Sequence, residues 1–360
     1  MKIKGISFEE FALFDRLKLD FSPNINVITG LNGVGKTIIL KTLYSILKTI
    51  ENINNEINNP LGGKVSVEKA KEMLATKIIG VFMPDEGRIG RLVSRKVGRG
   101  SASVNVALED YKNIRMRIST QMEKSIDIID DIRDIKNDIQ ALFIPPKEII
   151  SAASNFFSIY DNYHISFEET YYDLNKVLLK PLTKGKNSKE QNAILEKFED
   201  IIKGKVRMKD NKFYIKGKDI GEIEMGLIAE GDRKLATILH LVSNGTLSSN
   251  TILFWDEPES NLNPIRMKYI TQALVELAKM GVQIFLTTHS YFLLQEFSMF
   301  AQYESKKNKL GVNFISLYED GNNGSILSDS ATQTYELQHN SIVEEFESLY
   351  NREQEKLYDN

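Results

Sequence analysis

The chain has 360 residues, 42% of them hydrophobic and 26% charged, with a formal net charge of -3 and no cysteine. This length can bury a large core and hold two lobes; the charge balance excludes a global pull toward nucleic acid or an anionic membrane. The missing cysteines exclude disulfides, thiolate zinc sites and a cysteine nucleophile. With no signal-like apolar N-terminus and no run near the ~18 residues of a membrane helix, a cytoplasmic protein without membrane contact is expected.

Residues 1–29 are expected to form strands, with Leu17–Phe21 alternating strictly, Ile3–Phe8 loosely and a turn near Phe14-Asp15-Arg16. Asn26–Thr29 reads as a short buried strand, and residues 36–58 as a helix that frays into Asn-rich sequence. Val67–Val81 is a second helix. Ser101–Leu108 and Tyr111–Ser119 form an antiparallel hairpin turning at Glu109-Asp110. Ile128, Ile132, Ile135, Ile139 and Leu142 recur at steps of four and three, which predicts an amphipathic helix over 121–142. Leu142–Ile144 is a strand cut short by Pro145-Pro146, and residues 147–200 are mostly helical, broken by the polar loop Lys184–Lys189. A hairpin spans Val206–Ile215 with its turn at Asp210-Asn211, and residues 231–243 are helical. Thr251–Trp255 and Val282–Thr287 are apolar, non-alternating strands separated by a helix, the pattern of a parallel sheet covered on both faces. The tail carries another hairpin, Val312–Leu317 with Ser325–Leu327, turning across Asp320–Gly324, and an acidic amphipathic helix at 341–357.

Gly30-Leu31-Asn32-Gly33-Val34-Gly35-Lys36-Thr37 fits G-x-x-x-x-G-K-[ST], between a predicted strand and a predicted helix. Glycines let the backbone curl so that several N–H groups point at one anion, and the helix N-terminus adds about half a positive charge. Asn32, Gly33, Val34, Gly35, Lys36, Thr37 and Ile38 are therefore the expected phosphate contacts. Lys36 would reach the β- and γ-phosphates of ATP, and the Thr37 hydroxyl would ligate Mg²⁺. A chance glycine turn before a helix is the bland alternative.

Ile252–Trp255 is an apolar strand that ends in Asp256-Glu257. At the end of a parallel strand beside a phosphate loop, Asp256 would hold Mg²⁺ through its water shell and Glu257 would polarise the attacking water. Alone, the pair could be an exposed turn; with the phosphate loop in the same chain it points to hydrolysis. His289, in Thr287-Thr288-His289-Ser290, ends the next apolar strand and can donate to a γ-phosphate or orient the water.

The order of phosphate loop, long insertion, Glu230-Gly231-Asp232-Arg233 opening a helix, Asp256-Glu257-Pro258-Glu259, Asn261-Leu262-Asn263-Pro264 and Thr288-His289-Ser290 resembles the ABC-type ATPase superfamily. Within it, the strings Leu227–Ala236, Phe254–Glu259 and Phe167–Leu174 are similar to the RecF/SMC-related and OLD-type "AAA family ATPases", many of them from anti-phage operons. The resemblance implies an α/β head with a mostly parallel core sheet, an antiparallel β subdomain and a helical insertion. It divides the chain into an N-terminal lobe at 1–60, a mixed insertion at 61–200, a C-terminal lobe at 201–300 and a tail at 301–360. It also implies ATP and Mg²⁺ as cofactors, and a signature segment at Ala229–Arg233 that contacts nucleotide held by an opposing copy. Ala229, Gly231 and Asp232, with Asn263 of the Asn-Leu-Asn-Pro loop, are then nucleotide contacts. Ala229 replaces the family's serine and removes a hydroxyl, leaving backbone N–H groups. The family's glutamine between phosphate loop and signature has no clear counterpart; Gln140 and Lys147-Glu148 stand nearest its place.

Arg88, Arg91, Arg95, Lys96 and Arg99 cluster among glycines, and Arg115 and Arg117 share one face of the nearby hairpin. A nucleic-acid backbone is one occupant of that patch; without interleaved aromatics, a solvated loop or an acidic partner is the favoured one. Phe143, Phe156, Phe157, Tyr160 and Tyr163 read as packing residues, and His164, His240 and His339 as structural. Asp320, Asp329 and Asp359 are isolated, with Asp329 in a loop, so the stretch after His289 is not expected to hold a Toprim nuclease. The leading expectation is a self-dimerising ATP switch acting on a separate nuclease or toxin. A RecF-like DNA-repair clamp and a remnant of an OLD-type ATPase-nuclease are the alternatives.

Overall fold

Ile25, Asn26, Val27 and Ile28 are fully buried, as are Thr251–Trp255 and Gln283–Thr287. Strands buried on both faces belong in the middle of a covered parallel sheet, and these stand at its centre. The computed structural model describes residues 1–60, 63–95, 98–111, 113–135, 138–156, 160, 167–182, 188–217, 221–321 and 324–358. In chain order its strands are β1 (Ile3–Phe11), β2 (Phe14–Asp20), β3 (Ile25–Gly30), β4 (Ser101–Leu108), β5 (Ile114–Ser119), β6 (Asp127–Ile128) and β7 (Gln140–Ile144). After these come β8 (Gly204–Lys209), β9 (Lys212–Gly217), β10 (Glu222–Glu224), β11 (Thr251–Trp255), β12 (Gln283–Thr287), β13 (Val312–Glu319) and β14 (Ile326–Ala331). The helices are α1 (Lys36–Asn58), α2 (Val67–Phe82), α3 (Glu169–Leu178), α4 (Lys189–Ile201), α5 (Glu230–Ser243), α6 (Met267–Lys279), α7 (Tyr291–Tyr303), α8 (Ser305–Asn308) and α9 (Ser341–Tyr358).

The central sheet runs β14-β13-β3-β12-β11-β7, parallel except for β14. Alternate residues feed two cores. Ile28, Ile252, Phe254 and Phe285 face a core shared with α1, α2 and the antiparallel sheet β2-β1-β4-β5-β6. Val27, Leu253, Trp255, Ile284 and Leu286 face a second core under α3 to α7. A small third sheet, β10-β9-β8, flanks that second core. Of the span 61–200, β7 is a strand of the central sheet; so are β13 and β14 of the tail. No helix among the described residues is long and apolar enough to cross a membrane.

Three expectations are corrected. The described residues of 121–142 form no α-helix, holding instead β6, a short 3-10 turn at Ile132–Asp134 and the start of β7. Aspartates there bond to backbone in place of a helix ladder: Asp130 accepts from the Arg115 N–H at 2.9 Å and Asp131 from the Arg133 N–H at 3.0 Å. Ile126, Ile132, Ile135 and Ile139 are buried all the same, in the core under α1 and α2. The first turn lies at Ala12-Leu13 rather than Phe14–Arg16, with Ala12 at φ 53° and Phe14 already paired to Phe11. Asp329 sits inside β14 rather than in a loop, paired to Ser316.

Candidate functional site

The phosphate loop, Asp256 and His289 all lie where central strands end: β3 at Gly30, β11 at Trp255 and β12 at Thr287. The carboxyl edge of an open α/β sheet is where such folds hold ligands. Gly30 has φ 138° and a Cβ there would stand 2.2 Å from the Leu317 carbonyl oxygen of β13. Gly35, at φ 93°, caps α1, and a Cβ on it would meet the Phe14 ring at 2.6 Å. Any side chain at either position pushes the loop off its seat.

Lys36 is 6% exposed, and its Nζ donates to the carbonyls of Gly30 at 2.9 Å and Leu31 at 2.8 Å. Burial lowers its pKa to about 8, against the pull of Glu257, Asp256 and Glu259. Such a lysine is a cation held in reserve for a multiply charged anion.

Asp256 is buried and its carboxylate accepts from hydroxyls, Thr37 Oγ1 at 3.0 and 2.9 Å and Thr287 Oγ1 at 2.6 Å. Burial pushes its carboxyl up, with these hydroxyls opposing. A buried carboxylate with a hydroxyl beside it, and with no ion pair to it among the described residues, is a hard-oxygen donor set that fits Mg²⁺. No cage of three His, Asp or Glu ligands forms among the described residues. The remaining ligands would be water and phosphate oxygens.

Glu257 lies at φ 46°, a left-handed conformation that carries roughly 1–2 kcal/mol of strain in a non-glycine residue. Its N–H donates to Thr287 Oγ1 at 3.0 Å, and its Oε1 stands 3.2 Å from His289 Nε2. Burial first, then the Lys36 cation, pushes the His289 pKa below its ordinary value, so the ring is neutral at neutral pH. The turn carrying His289 is pinned by Glu259, whose Oε1 accepts from Thr288 Oγ1 at 2.7 Å, the His289 N–H at 2.7 Å and the Ser290 N–H at 3.2 Å.

The signature residues form a second cluster. Ala229 is the N-cap of α5 and offers no side-chain cap. Gly231 lies against the loop after β11, where a Cβ would stand 3.3 Å from Leu262 and 3.5 Å from Arg266. Asp232 pairs with Arg266 at 3.0 Å, and Asn263 uses its side chain to accept from the Ile265 N–H at 3.1 Å. Lys234, one turn further, is buried and donates to the carbonyls of Pro258 at 3.1 Å and Ser260 at 2.8 Å. Arg233 bonds Glu148, in the loop after β7.

Thr287, Glu259, Lys234 and the Arg233–Glu148 pair were not singled out from sequence. Glu259 and Thr287 stand inside the strings Asp256–Glu259 and Thr287–Ser290, and a count of which polar residues must be buried at a strand end would flag them. Gln140 begins β7 at the end away from the phosphate loop, its N–H bonded to Asn250, so it does not reach the site. Lys147 lies in a groove with Thr37 and Asp256. Arg88, Arg91 and Arg95 share a cleft of about 550 Å³, while Arg115 is held bidentate by Asp130 at 2.9 Å and does not extend that patch as a free cation. Lys96, Phe157, Tyr163, His164, Lys184–Asn187, Asn322, Asn323 and Asp359 lie outside the described residues. Phe143 and Phe156 are buried, and His240 Nε2 donates to the Leu178 carbonyl at 2.7 Å, as a structural histidine.

Residues 25–295 match the family model described as "AAA domain, putative AbiEii toxin, Type IV TA system". An "ATP/GTP phosphatase" of Helicobacter pylori is 23% identical over 321 residues, covering 80% of this chain and 85% of that protein. A "DNA replication and repair protein RecF" of Lactococcus lactis subsp. lactis is 34% identical over 106 residues, 28% of this chain and 29% of that protein. Among solved structures, an SmcHead bound to the C-winged helix domain of ScpA aligns with a TM-score of 0.52 at 14% identity, over 93% of this chain and 99% of that one, a likeness of fold.

Proposed function

The chain belongs to this AAA-domain family and is an ABC-type P-loop ATPase related to RecF and SMC heads, and from that premise we propose that it is a nucleotide-driven switch in which two copies close around ATP and Mg²⁺ and thereby control a separately encoded effector, a nuclease or toxin, in anti-phage defence. The observation that carries the reading is one turn, Asp256-Glu257. It sends Asp256 toward Thr37, the metal side, and Glu257 toward His289, the side of the attacking water. Mg²⁺, when bound by Thr37 and Asp256, supplies the charge neutralisation that phosphoryl transfer needs. Lys36 and the loop N–H groups hold the phosphates. Glu257 accepts the proton of a water, and neutral His289 gives its one N–H to Glu257 and so holds it in place.

Ala229, Gly231, Asp232 and Asn263 sit on a cluster of their own, as suits contacts made to nucleotide on a second copy. The family description names a toxin of a TA system, which supports a role with a partner. Closure can act on a partner only if the partner distinguishes the open from the closed state.

Expression of the chain with its neighbouring genes should protect cells from phage or cause toxicity. Lys36→Ala and Glu257→Gln should abolish that phenotype. Purified Glu257→Gln should bind ATP yet lose roughly 10²–10⁴-fold in turnover, since an amide cannot take the proton. Cleavage of nucleic acid by the chain alone, or a phenotype intact in both variants, would sink the switch.

A RecF-like clamp is the second reading, favoured by the RecF likeness and by the cleft that Arg88, Arg91 and Arg95 line. Tight duplex binding by the isolated chain that falls steeply with salt would select it.

A further inference from the structure

The stretch Phe167–Leu174 has no part in the site as described so far, yet it packs against it. A groove of about 350 Å³ beside the phosphate loop is lined by Thr37, Asp256, Lys41, Lys147, Glu168 and Tyr171. Thr37 and Asp256 are the pair that fits the metal. The groove also borders the loop that follows β7, where the family resemblance calls for a glutamine and this chain has Pro145-Pro146-Lys147.

We propose that Glu168 takes that glutamine's place, as a positioning residue that accepts a hydrogen bond from the water shell of the nucleotide's magnesium; this rests on the ATPase reading above. Glu168 is the N-cap of α3 and is mostly buried. Its Oε2 pairs with Lys41, four residues beyond Thr37 and so on the same face of α1. Its Oε1 accepts from Thr170 Oγ1 at 2.7 Å. A carboxylate offers about four lone-pair sites, so each oxygen keeps acceptor capacity for a water in the groove. Lys41 explains why a carboxylate can stand where the family uses an amide. An unpaired glutamate next to Asp256 would add a second negative charge, and Lys41 cancels it.

The residues after Glu168 fix it in position. Tyr171 lies against the Lys147 backbone. Asp173 accepts from Tyr44 of α1 at 2.6 Å, and Lys77 of α2 pairs with Glu169 and, at 2.9 Å, with Asp173. Helix α3 is thus bolted to both α1 and α2, which holds Glu168, at its start, beside the groove.

The test is a magnesium titration of fluorescent-ATP binding by the full chain, with thermal melting as a check on folding. Groups behind a metal's own ligands typically change metal affinity 10–100-fold when removed. Glu168→Ala should raise the Mg²⁺ needed for half-maximal binding at least about tenfold, with binding in EDTA unchanged. Glu168→Gln should restore it to within about threefold, because an amide oxygen also accepts from water. If Ala leaves the Mg²⁺ requirement unchanged, or if Gln fails as badly as Ala while both lower the melting temperature alike, Glu168 is only the partner of Lys41 and the proposal is wrong. A wild-type chain that binds nucleotide with no Mg²⁺ dependence overturns the ATPase reading together with this one.

Discussion

Lys36 shows how burial sets the state of a single group before its ligand arrives. Its folded pKa of about 8 lies below the ordinary 10.5 because desolvation outweighs three nearby carboxylates. Between those two values the unfolded chain binds more protons than the folded one, so this group's contribution to stability rises with pH across that window and is a constant penalty below it. A bound polyphosphate favours the charged form and lifts the pKa again. Nucleotide binding at pH 8 should therefore take up about half a proton per site, and less at pH 7. Calorimetry in two buffers of different ionisation enthalpy measures this directly. No uptake at either pH would show that Lys36 is fully charged before binding.

At the scale of elements, the tie between α5 and the loop after β11 depends on Lys234. Its ammonium serves two carbonyls, Pro258 and Ser260, beside the catalytic Glu257 proposed above. Lys234→Met keeps the volume and leaves both carbonyls unserved, which should destabilise the fold by about 1–3 kcal/mol. Chemical denaturation reads that loss; a variant as stable as wild type would mean that water replaces the ammonium without penalty. Such ties explain what could be read from the chain. The phosphate loop, Asp256, Glu257 and His289 are local motifs on strands whose continuous apolar runs mark them as buried, so their meeting at one sheet edge was legible. Lys234 to Pro258 and Arg233 to Glu148 join distant segments through one polar side chain, and no periodicity encodes them. The stretch 121–142 misled for a related reason. Its isoleucine spacing suits a helix, but Asp130 and Asp131 take backbone N–H groups for themselves, and the isoleucines reach their core from strand, turn and loop. The turn falls before Asp15-Arg16 because Phe14 is already a strand residue, paired to Phe11, with its ring lying under Gly35.

At the scale of the whole molecule, the motif loops leave apolar side chains in solvent. Leu31 in the phosphate loop is 60% exposed, Leu227 before α5 is 77% exposed and Ile265 after Asn263 is 65% exposed. Single exposed aliphatics are ordinary. These three, however, fall in the segments that the proposed closure brings face to face, and burying them supplies a non-directional driving force there. The Ala229 N-terminus of α5, without a side-chain cap, adds a place for an anion from the second copy. A dimer should therefore form when ATP and Mg²⁺ are present and persist longest in Glu257→Gln, where the nucleotide is not consumed. Leu227→Glu and Ile265→Glu should each weaken it at least about fivefold, the effect of losing more than 1 kcal/mol at an interface centre, while leaving nucleotide binding by the monomer intact. Light scattering across a concentration series measures the dimer and fluorescent-nucleotide binding measures the monomer. If wild type stays monomeric at every concentration with Mg-ATP while hydrolysis continues, each copy completes its own site, and the signature cluster has some other use.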